Sequence, residues 1–207
     1  ATNNGAISIN LNSKSASATK ALSGIANIDG NQAIAYNIAN KGNITAGTAQ
    51  NLLAGGIAYT SNGTIVNAYN TATITGYNAS GIANSLTTTS VIRNAFNVGS
   101  ITGTQKYEIG YSSSAVIENT YYQSGKNSGT TTTGSKSLSA AQLKVQTNLV
   151  GFDFSSDWVM GTNYPVFRLD NVTGHFTLGF NTYGATTTIG RDTGLWVEKS
   201  TLNSIQL

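Results

Sequence analysis

Hydrophobic residues occur along the chain in short groups separated by glycines and uncharged polar residues. Four passages repeat one order of features: a small residue and Ile, a turn, a short apolar run that ends in an aromatic residue, and a strand that closes on Gly. The passages cover residues 23–47, 55–76, 80–103 and 108–125. Since each unit is too short to bury its own apolar side, units of this length become stable by stacking on one another. The pattern therefore predicts a stack of repeats built from short strands and turns.

Two hydrophobic positions define the repeat. The leading isoleucines are Ile25, Ile57, Ile82 and Ile109, and the aromatic residues are Tyr36, Tyr69, Phe96 and Tyr121. An Asn follows three of the aromatic residues directly, at Asn37, Asn70 and Asn97. We expect the isoleucines and the aromatic residues to line the interior of the stack. We expect the Asn side chains to form a ladder of hydrogen-bonded amides.

These features predict an all-β protein whose fold is a short parallel β-solenoid (β-helix) of about four coils, with a C-terminal cap containing one short helix. Neighbouring coils would lie about 4.8 Å apart, the ordinary spacing of paired strands. A β-sandwich stays open as an alternative, because sandwiches also consist of short strands between turns. The predicted regions are an N-terminal strand region (1–22), the solenoid repeats (23–125), a loop, short helix and aromatic cap (126–170), and C-terminal strands (171–207).

The segment after the repeats predicts a loop, a helix and a cap. Residues 124–137 are rich in Gly, Ser and Thr, which is typical of a flexible surface loop. A helix is predicted over residues 138–148, because Ser139 and Gln142 have the spacing of a capping box. Bulky aromatic residues follow, and we expect them to cover the open end of the solenoid. They are Phe152, Phe154, Trp158 and Tyr164.

Both ends of the chain alternate apolar and polar residues in the manner of strands. The alternating apolar residues are Ile7, Ile9 and Leu11 at the start, and Phe176, Leu178, Phe180, Leu195 and Val197 near the end. We expect the two termini to pair with each other or with a longer parent chain.

Composition narrows the function classes. Charged residues make up 9% of the chain, against roughly 25% in an average soluble protein. The net charge is +3, but the basic residues form no block, and nucleic-acid binding needs a clustered basic face. The chain has no Cys, which is compatible with export when stacked repeats supply the core. We therefore expect neither nucleic-acid binding nor membrane insertion.

Residues suited to catalysis are scarce. A hydrolase needs paired carboxylates or a nucleophile beside a base, and the one histidine, His175, has no predicted partner. The pair Asp153 and Asp157 allows either a Ca²⁺ site or a turn capped by Asp153. We expect no catalytic residue, no cofactor and no metal, with Ca²⁺ at this pair kept open as an alternative.

Tyrosines at predicted turns are candidates for ligand contacts, because aromatic residues often anchor interfaces. They are Tyr59, Tyr77, Tyr107 and Tyr111. Packing of the loops is the alternative role for the same side chains.

The repeat resembles the GLUG motif, which occurs in bacterial surface adhesins and immunoglobulin A peptidases. The matching residues are Gly55, Gly56, Ile57, Asn67, Tyr69, Ile74 and Gly76 in the second unit, and Gly81, Ile82, Asn94, Phe96, Ile101 and Gly103 in the third. The segment that often ends such arrays is matched by Gly151, Phe152, Asp153, Phe154, Trp158, Tyr164 and Pro165. Ala58 replaces a Gly that is common in the family, and the fourth unit has lost its first Gly.

The resemblance implies extracellular display rather than catalysis. We expect a non-enzymatic display or adhesion module of a bacterial surface protein, with a host or cell-surface protein or glycan as its partner. An alternative is an outer domain inserted in a self-assembling surface filament, where sister subunits are the partners and no dedicated ligand exists. A polysaccharide- or ice-binding solenoid is a further alternative, which a flat face of regularly spaced Thr would support.

Overall fold

The computed structural model describes residues 1–8, 20–111 and 114–168, together with the backbone of two later strands. The chain divides into two compact units, residues 1–168 and 169–207. In the second unit, Phe176–Gly179 and Thr186–Ile189 pair as antiparallel strands. The predicted strand residues Ile9, Leu11, Phe180, Leu195 and Val197 lie outside the described residues.

The first unit is a parallel β-solenoid with four sheets, as the repeats predict. Sheet A has six strands: Thr2–Asn3, Ile34–Asn40, Thr64–Asn70, Val91–Asn97, Val116–Gln123 and Ser135–Leu138. Sheet B has four: Ile7–Ser8, Ile44–Gly47, Ile74–Gly76 and Ile101–Thr102. Sheet C has four: Lys20–Ser23, Leu52–Gly55, Asn78–Ser80 and Gln105–Tyr107. Sheet D has three: Ala58–Ser61, Ala83–Leu86 and Gly110–Tyr111.

Three turns of the solenoid are complete, and a partial turn lies at each end. Each complete turn passes through sheets C, D, A and B in that order between residues 20 and 102. In the first turn a single bridge from Ile28 to Ser61 occupies the place of the strand in sheet D. The fourth repeat contributes strands to sheets C, D and A but not to sheet B within the described part of the chain.

Residues 1–8 form the partial turn at the N-terminal end. Thr2 and Asn3 pair with Ala39 and Asn40, and Ile7 pairs with Ile44. The described N-terminal strands therefore extend the stack. The predicted pairing of the C-terminal strands with the N-terminus involves the second unit and stays a prediction. Ile9, which belongs to the predicted N-terminal alternation, lies outside the described residues.

The leading isoleucines lie in the interior of the solenoid. Ile57, Ile82 and Ile109 are fully buried and belong to one cluster with Ile65 and Ile92 of sheet A. Ile25 is partly buried at the N-terminal side of this cluster, and its N–H donates to the carbonyl of Ile57. The isoleucines of sheet B form a second interior cluster with small residues of sheet C.

The aromatic residues lie outside the solenoid, contrary to the expectation that they line its interior. Tyr69, Phe96 and Tyr121 pack against the segment that follows residue 138. The cause is an Asn with a positive φ in each of the four longest strands of sheet A, such as 53° at Asn67. This residue reverses the in–out alternation, so Ala68 points inward, Tyr69 outward and the following residue inward.

Tyr36 does not occupy the aromatic position of the first repeat. It pairs with Val66, and Ala39 pairs with Tyr69. The side chain of Tyr36 is half exposed. The sequence alignment was wrong by three residues here, because Asn37 is the positive-φ residue of this strand and not the Asn that follows the aromatic position.

The cap also differs from its predicted position and structure. It covers the outer face of sheet A instead of the open end. Two contacts show this: Asp157 contacts Tyr36 in the first turn, and the carbonyl of Val150 accepts from the Tyr121 hydroxyl in the last. The capping box forms in both directions between Ser139 and Gln142. The helix does not continue beyond short 3₁₀ turns at Gln142–Lys144 and Gln146–Asn148, since the backbone of the β-branched Val145 is extended. A hairpin completes the cap, with strands Trp158–Met160 and Pro165–Phe167.

The predicted flexible loop closes the C-terminal end of the stack. The Asn127 side chain accepts from the Ile101 N–H at 2.9 Å, in the place of the sheet B strand that the fourth repeat lacks. The Thr132 hydroxyl accepts from the Gly110 N–H at 3.0 Å, and the Thr130 carbonyl accepts from the Glu108 N–H. These contacts satisfy the strand edges that the cap was expected to cover.

Candidate functional site

An inner ladder of asparagine side chains runs along the solenoid. Each Nδ2 donates to the Oδ1 of the next turn: Asn3 to Asn40 at 2.7 Å, Asn40 to Asn70 at 2.8 Å and Asn70 to Asn97 at 2.8 Å. The last three members are fully buried. The sequence predicted such a ladder, but it named Asn37 in place of Asn40 and missed Asn3. The missed signal is the spacing Asn-x-Gly/Ala-x-Ile, which residues 3–7 share with the later turns.

Glu108 ends the inner ladder. Its carboxylate accepts from the side chain of Asn97, from the Nδ2 of Asn127 at 3.1 Å and from the backbone N–H of Gly129. Glu108 stands where the earlier repeats have Gly, and Tyr122 stands where they have the ladder Asn. The two departures compensate each other, because the Glu side chain supplies the acceptor that an Asn in this turn would have provided. Burial raises the pKa of Glu108, and the hydrogen bonds lower it in part.

An outer ladder runs between sheet A and the cap. Its members have φ between 48° and 53°, a conformation that Asn tolerates better than most residues. They are Asn37, Asn67, Asn94 and Asn119, and the Nδ2 of each of the last three donates to the Oδ1 of the member in the preceding turn at 3.0 to 3.3 Å. Asp157 accepts from the amides of Asn37 and Asn67. The ladder therefore attaches the cap to the solenoid.

The aspartates of the cap have structural roles. Asp153 accepts from the N–H groups and hydroxyls of Ser155 and Ser156, and these bonds lower its pKa to about 2. The Tyr36 hydroxyl donates to Asp157 at 2.5 Å, which raises the pKa of Tyr36 to about 12. The turn-capping role of Asp153 is confirmed. Within the described ranges, no three His, Asp or Glu side chains come together as metal ligands would.

The tyrosines proposed as ligand contacts do not form one surface. Tyr107 and Tyr111 are neighbours, with ring centroids 5.1 Å apart, and Tyr111 is exposed. Burial raises the pKa of Tyr107, with a smaller contribution from Tyr111. Tyr59 lies within sheet D and Tyr77 at the corner between sheets B and C, each partly buried. The structure brings together two of the four.

A cleft of about 390 Å³ lies where sheet A meets the cap. The solenoid contributes Thr71 and Gln123, which directly follow or end strands of sheet A. The closing loop between the last two strands of sheet A contributes Lys126, and the cap contributes Lys144, Asn163 and Tyr164. These polar lining residues are 93 positions apart in the sequence at the extremes, so no local pattern predicts the cleft. Only folding of the cap onto sheet A forms it.

The cleft is positively charged. Lys126 and Lys144 are exposed, and neither has an ion pair within the part of the chain that the structure describes. Of the described residues that line the cleft, none carries a carboxylate. Lys41 has the position equivalent to Thr71 in the preceding turn, and its ammonium lies 5.7 Å from the ring centroid of Tyr69. The cleft therefore carries two positive charges and several hydrogen-bond donors.

Sheet B presents a row of hydroxyl side chains. Thr45, Thr75 and Thr102 pair in register across three turns, and Ser8 extends the row by one. Each follows an isoleucine of the interior, so the hydroxyl residues point away from the core. Thr45 and Thr102 are exposed, and Thr75 is partly so. The row has the strand spacing of about 4.8 Å.

Comparisons with protein-family models, with curated proteins and with solved structures found no match. The resemblance to the GLUG repeat therefore stays a prediction from the sequence. No helix among the described residues is long and apolar enough to cross a bilayer. His175 lies outside the described residues.

Proposed function

We propose that the chain is a non-enzymatic, extracellular display or adhesion module, which presents its outer surface to a partner without altering it chemically. The observation that carries this proposal is the way the polar side chains are used. Two amide ladders run the length of the stack, and the ladder residues form hydrogen bonds with one another, with nearby backbone groups, and with Glu108 and Asp157. The result is a stiff platform, because the same polar contacts repeat from turn to turn.

The charged side chains are engaged in structural contacts, which supports a non-enzymatic role. Glu108 is buried at the end of the inner ladder, and Asp157 binds the outer ladder and Tyr36. Arg93 and Glu118 form an exposed ion pair at 2.6 Å on sheet A. Each of these groups already has a partner within the described chain, whereas an enzyme needs an acid or base that faces its substrate.

The resemblance to the GLUG repeat supports the proposed setting, a bacterial cell surface. In the peptidases that carry this repeat, the repeats lie apart from the catalytic domain, which agrees with a presenting role. The insertion in a surface filament stays an alternative prediction, since the pairing of termini that would favour it concerns the second unit.

The test is an array of glycans and matrix proteins probed with the purified, folded chain. Saturable retention of an array component supports the proposal when a surface variant such as Tyr111→Ser or Lys144→Gln lowers it and the exposed control Asn31→Ala does not. If a folded, protease-resistant sample retains no component of the array, that result contradicts an adhesive role.

A second candidate function is ice binding, which the hydroxyl row on sheet B favours. Regular hydroxyls at strand spacing on a stiff sheet can order water in a repeating pattern. The test is thermal hysteresis of the intact chain, compared with Thr75→Lys, which places a long charged side chain in the middle of the row. Hysteresis that Thr75→Lys abolishes supports this function, and its absence in the intact chain excludes it.

A further inference from the structure

We propose that the cleft between sheet A and the cap binds an acidic saccharide, a sugar chain that carries carboxylate or sulfate groups. The inference deepens the adhesive role and rests on it, because it names the ligand class and the residues that contact it. Its support is the size of the cleft, the sign of its charge, and the kind of polar groups that line it.

The size of the cleft fits a small part of a glycan. Its volume of about 390 Å³ lies within the range of roughly 300–1,000 Å³ that is usual for ligand sites. One wall is the row of residues at the end of sheet A, which the solenoid holds in register, and the other is the cap. Trp158 fixes the cap against Tyr69 and Phe96, with ring centroids 6.0 Å away in each case. The walls are therefore held by packed cores on both sides.

The charge of the cleft selects an anion. Lys126 and Lys144 both line it, and no carboxylate among the described lining residues neutralises them. In a chain with only 11 basic residues among 207, two that face one cleft without acidic partners are a local concentration of positive charge. Ammonium groups bind carboxylate and sulfate oxygens as charge-assisted hydrogen bonds.

The remaining polar groups fit a sugar ring. Gln123 and Asn163 supply amides that both donate and accept, and Thr71 supplies a hydroxyl. Tyr164 adds an aromatic ring at the same wall as Lys144. Sugar hydroxyls need such mixed donors and acceptors, while a simple inorganic anion needs donors alone. Two cations are too few for a nucleic-acid site, which neutralises several phosphates in a row.

The experiment titrates the intact chain with four probes by calorimetry at low salt. They are a uronate-containing tetrasaccharide, a sulfated tetrasaccharide, an uncharged tetrasaccharide of N-acetylglucosamine, and inorganic sulfate. The first two distinguish carboxylate from sulfate as the anionic group. The third tests the need for charge, and the fourth tests the need for a sugar.

Two variants and a matched control locate the binding. Lys126→Gln and Lys144→Gln each remove one ammonium while keeping much of the side chain, and each is expected to weaken binding about tenfold. Lys136→Gln has the same effect on net charge at an exposed residue of sheet A that does not line the cleft, and it should leave the affinity unchanged. Because both lysines are exposed, the variants are expected to fold, which circular dichroism checks.

Binding of one acidic tetrasaccharide, weakened by both cleft variants and not by the control, supports the proposal. The proposal is overturned if neither acidic probe binds, if the neutral probe binds as tightly, if inorganic sulfate binds as tightly and so marks an adventitious ion only, or if the cleft variants bind unchanged. The adhesive role is a separate outcome, since array retention that survives both cleft variants keeps that role and places it elsewhere on the surface.

Discussion

Replacement of Asn70 by Ala tests whether the inner ladder stabilises the fold. Asn70 accepts from Asn40 and donates to Asn97, both at 2.8 Å, and also bonds both backbone groups of Ala72. The variant leaves the Nδ2 of Asn40 and the two backbone groups of Ala72 without this partner in a buried setting. An unsatisfied buried group costs roughly 1–3 kcal/mol, so we expect a loss of about 3 kcal/mol in the free energy of unfolding.

The assay is urea unfolding at neutral pH, monitored by tryptophan fluorescence, with Trp158 as the buried reporter in the cap. The control is Asn31→Ala, which changes the same residue type at an exposed position and is expected to stay within about 0.5 kcal/mol of the parent. A loss for Asn70→Ala no larger than that of the control would refute the reasoning. The ladder would then be a consequence of the stack and not a cause of its stability.

Three further variants test other parts of the account. The pKa of Glu108 in the folded state lies above its ordinary value of 4.5, so its contribution to the free energy of unfolding falls as pH rises from that value. Urea unfolding between about pH 4 and 8 should therefore show the stability of Glu108→Gln rising relative to that of the parent as pH rises. The opposite trend would contradict this reasoning. In Gly81→Ala the new Cβ would lie 2.3 Å from the Glu108 carbonyl oxygen. Thermal melting should therefore show a loss of about 1–3 kcal/mol in the free energy of unfolding. The control Gly5→Ala should show no such loss, because the nearest atom to its new Cβ would be 3.9 Å away. Trp158→Ala removes the centre of the aromatic cluster and should cost about 3–5 kcal/mol in the free energy of unfolding. Because the fluorescence reporter is lost in this variant, its urea unfolding is followed by circular dichroism. A loss under about 1 kcal/mol, of the order of a surface substitution, would mean that the cap adds little to the stability.

The sequence predicted the solenoid because its signal is repeated. Ile57, Ile82 and Ile109 recur at the interval of one turn, and stacking places equivalent residues above one another. The orientation of the aromatic residues could not be predicted in the same way. It depends on the positive φ of residues such as Asn67, and a sequence shows Asn without its backbone angle.

The first repeat shows the same limit at a single residue. Tyr36 has the residue type of the aromatic position, but Ala39 occupies that position in register. The cap supplies the reason, because the Tyr36 hydroxyl donates to Asp157, 121 residues later in the chain. A contact of that sequence separation leaves no local pattern. The cleft is subject to the same limit, since its walls come from sheet A, the closing loop and the cap.

The central claim is that the molecule holds a partner without changing it. The most direct measurement incubates the intact chain with the array component that it retains best, and then determines the stoichiometry of binding and the mass of the recovered ligand over time. The account predicts saturable binding and a ligand recovered with unchanged mass at every time point. Accumulation of cleaved or modified ligand beyond one equivalent of protein would contradict the claim, because it would show turnover by a site among these residues.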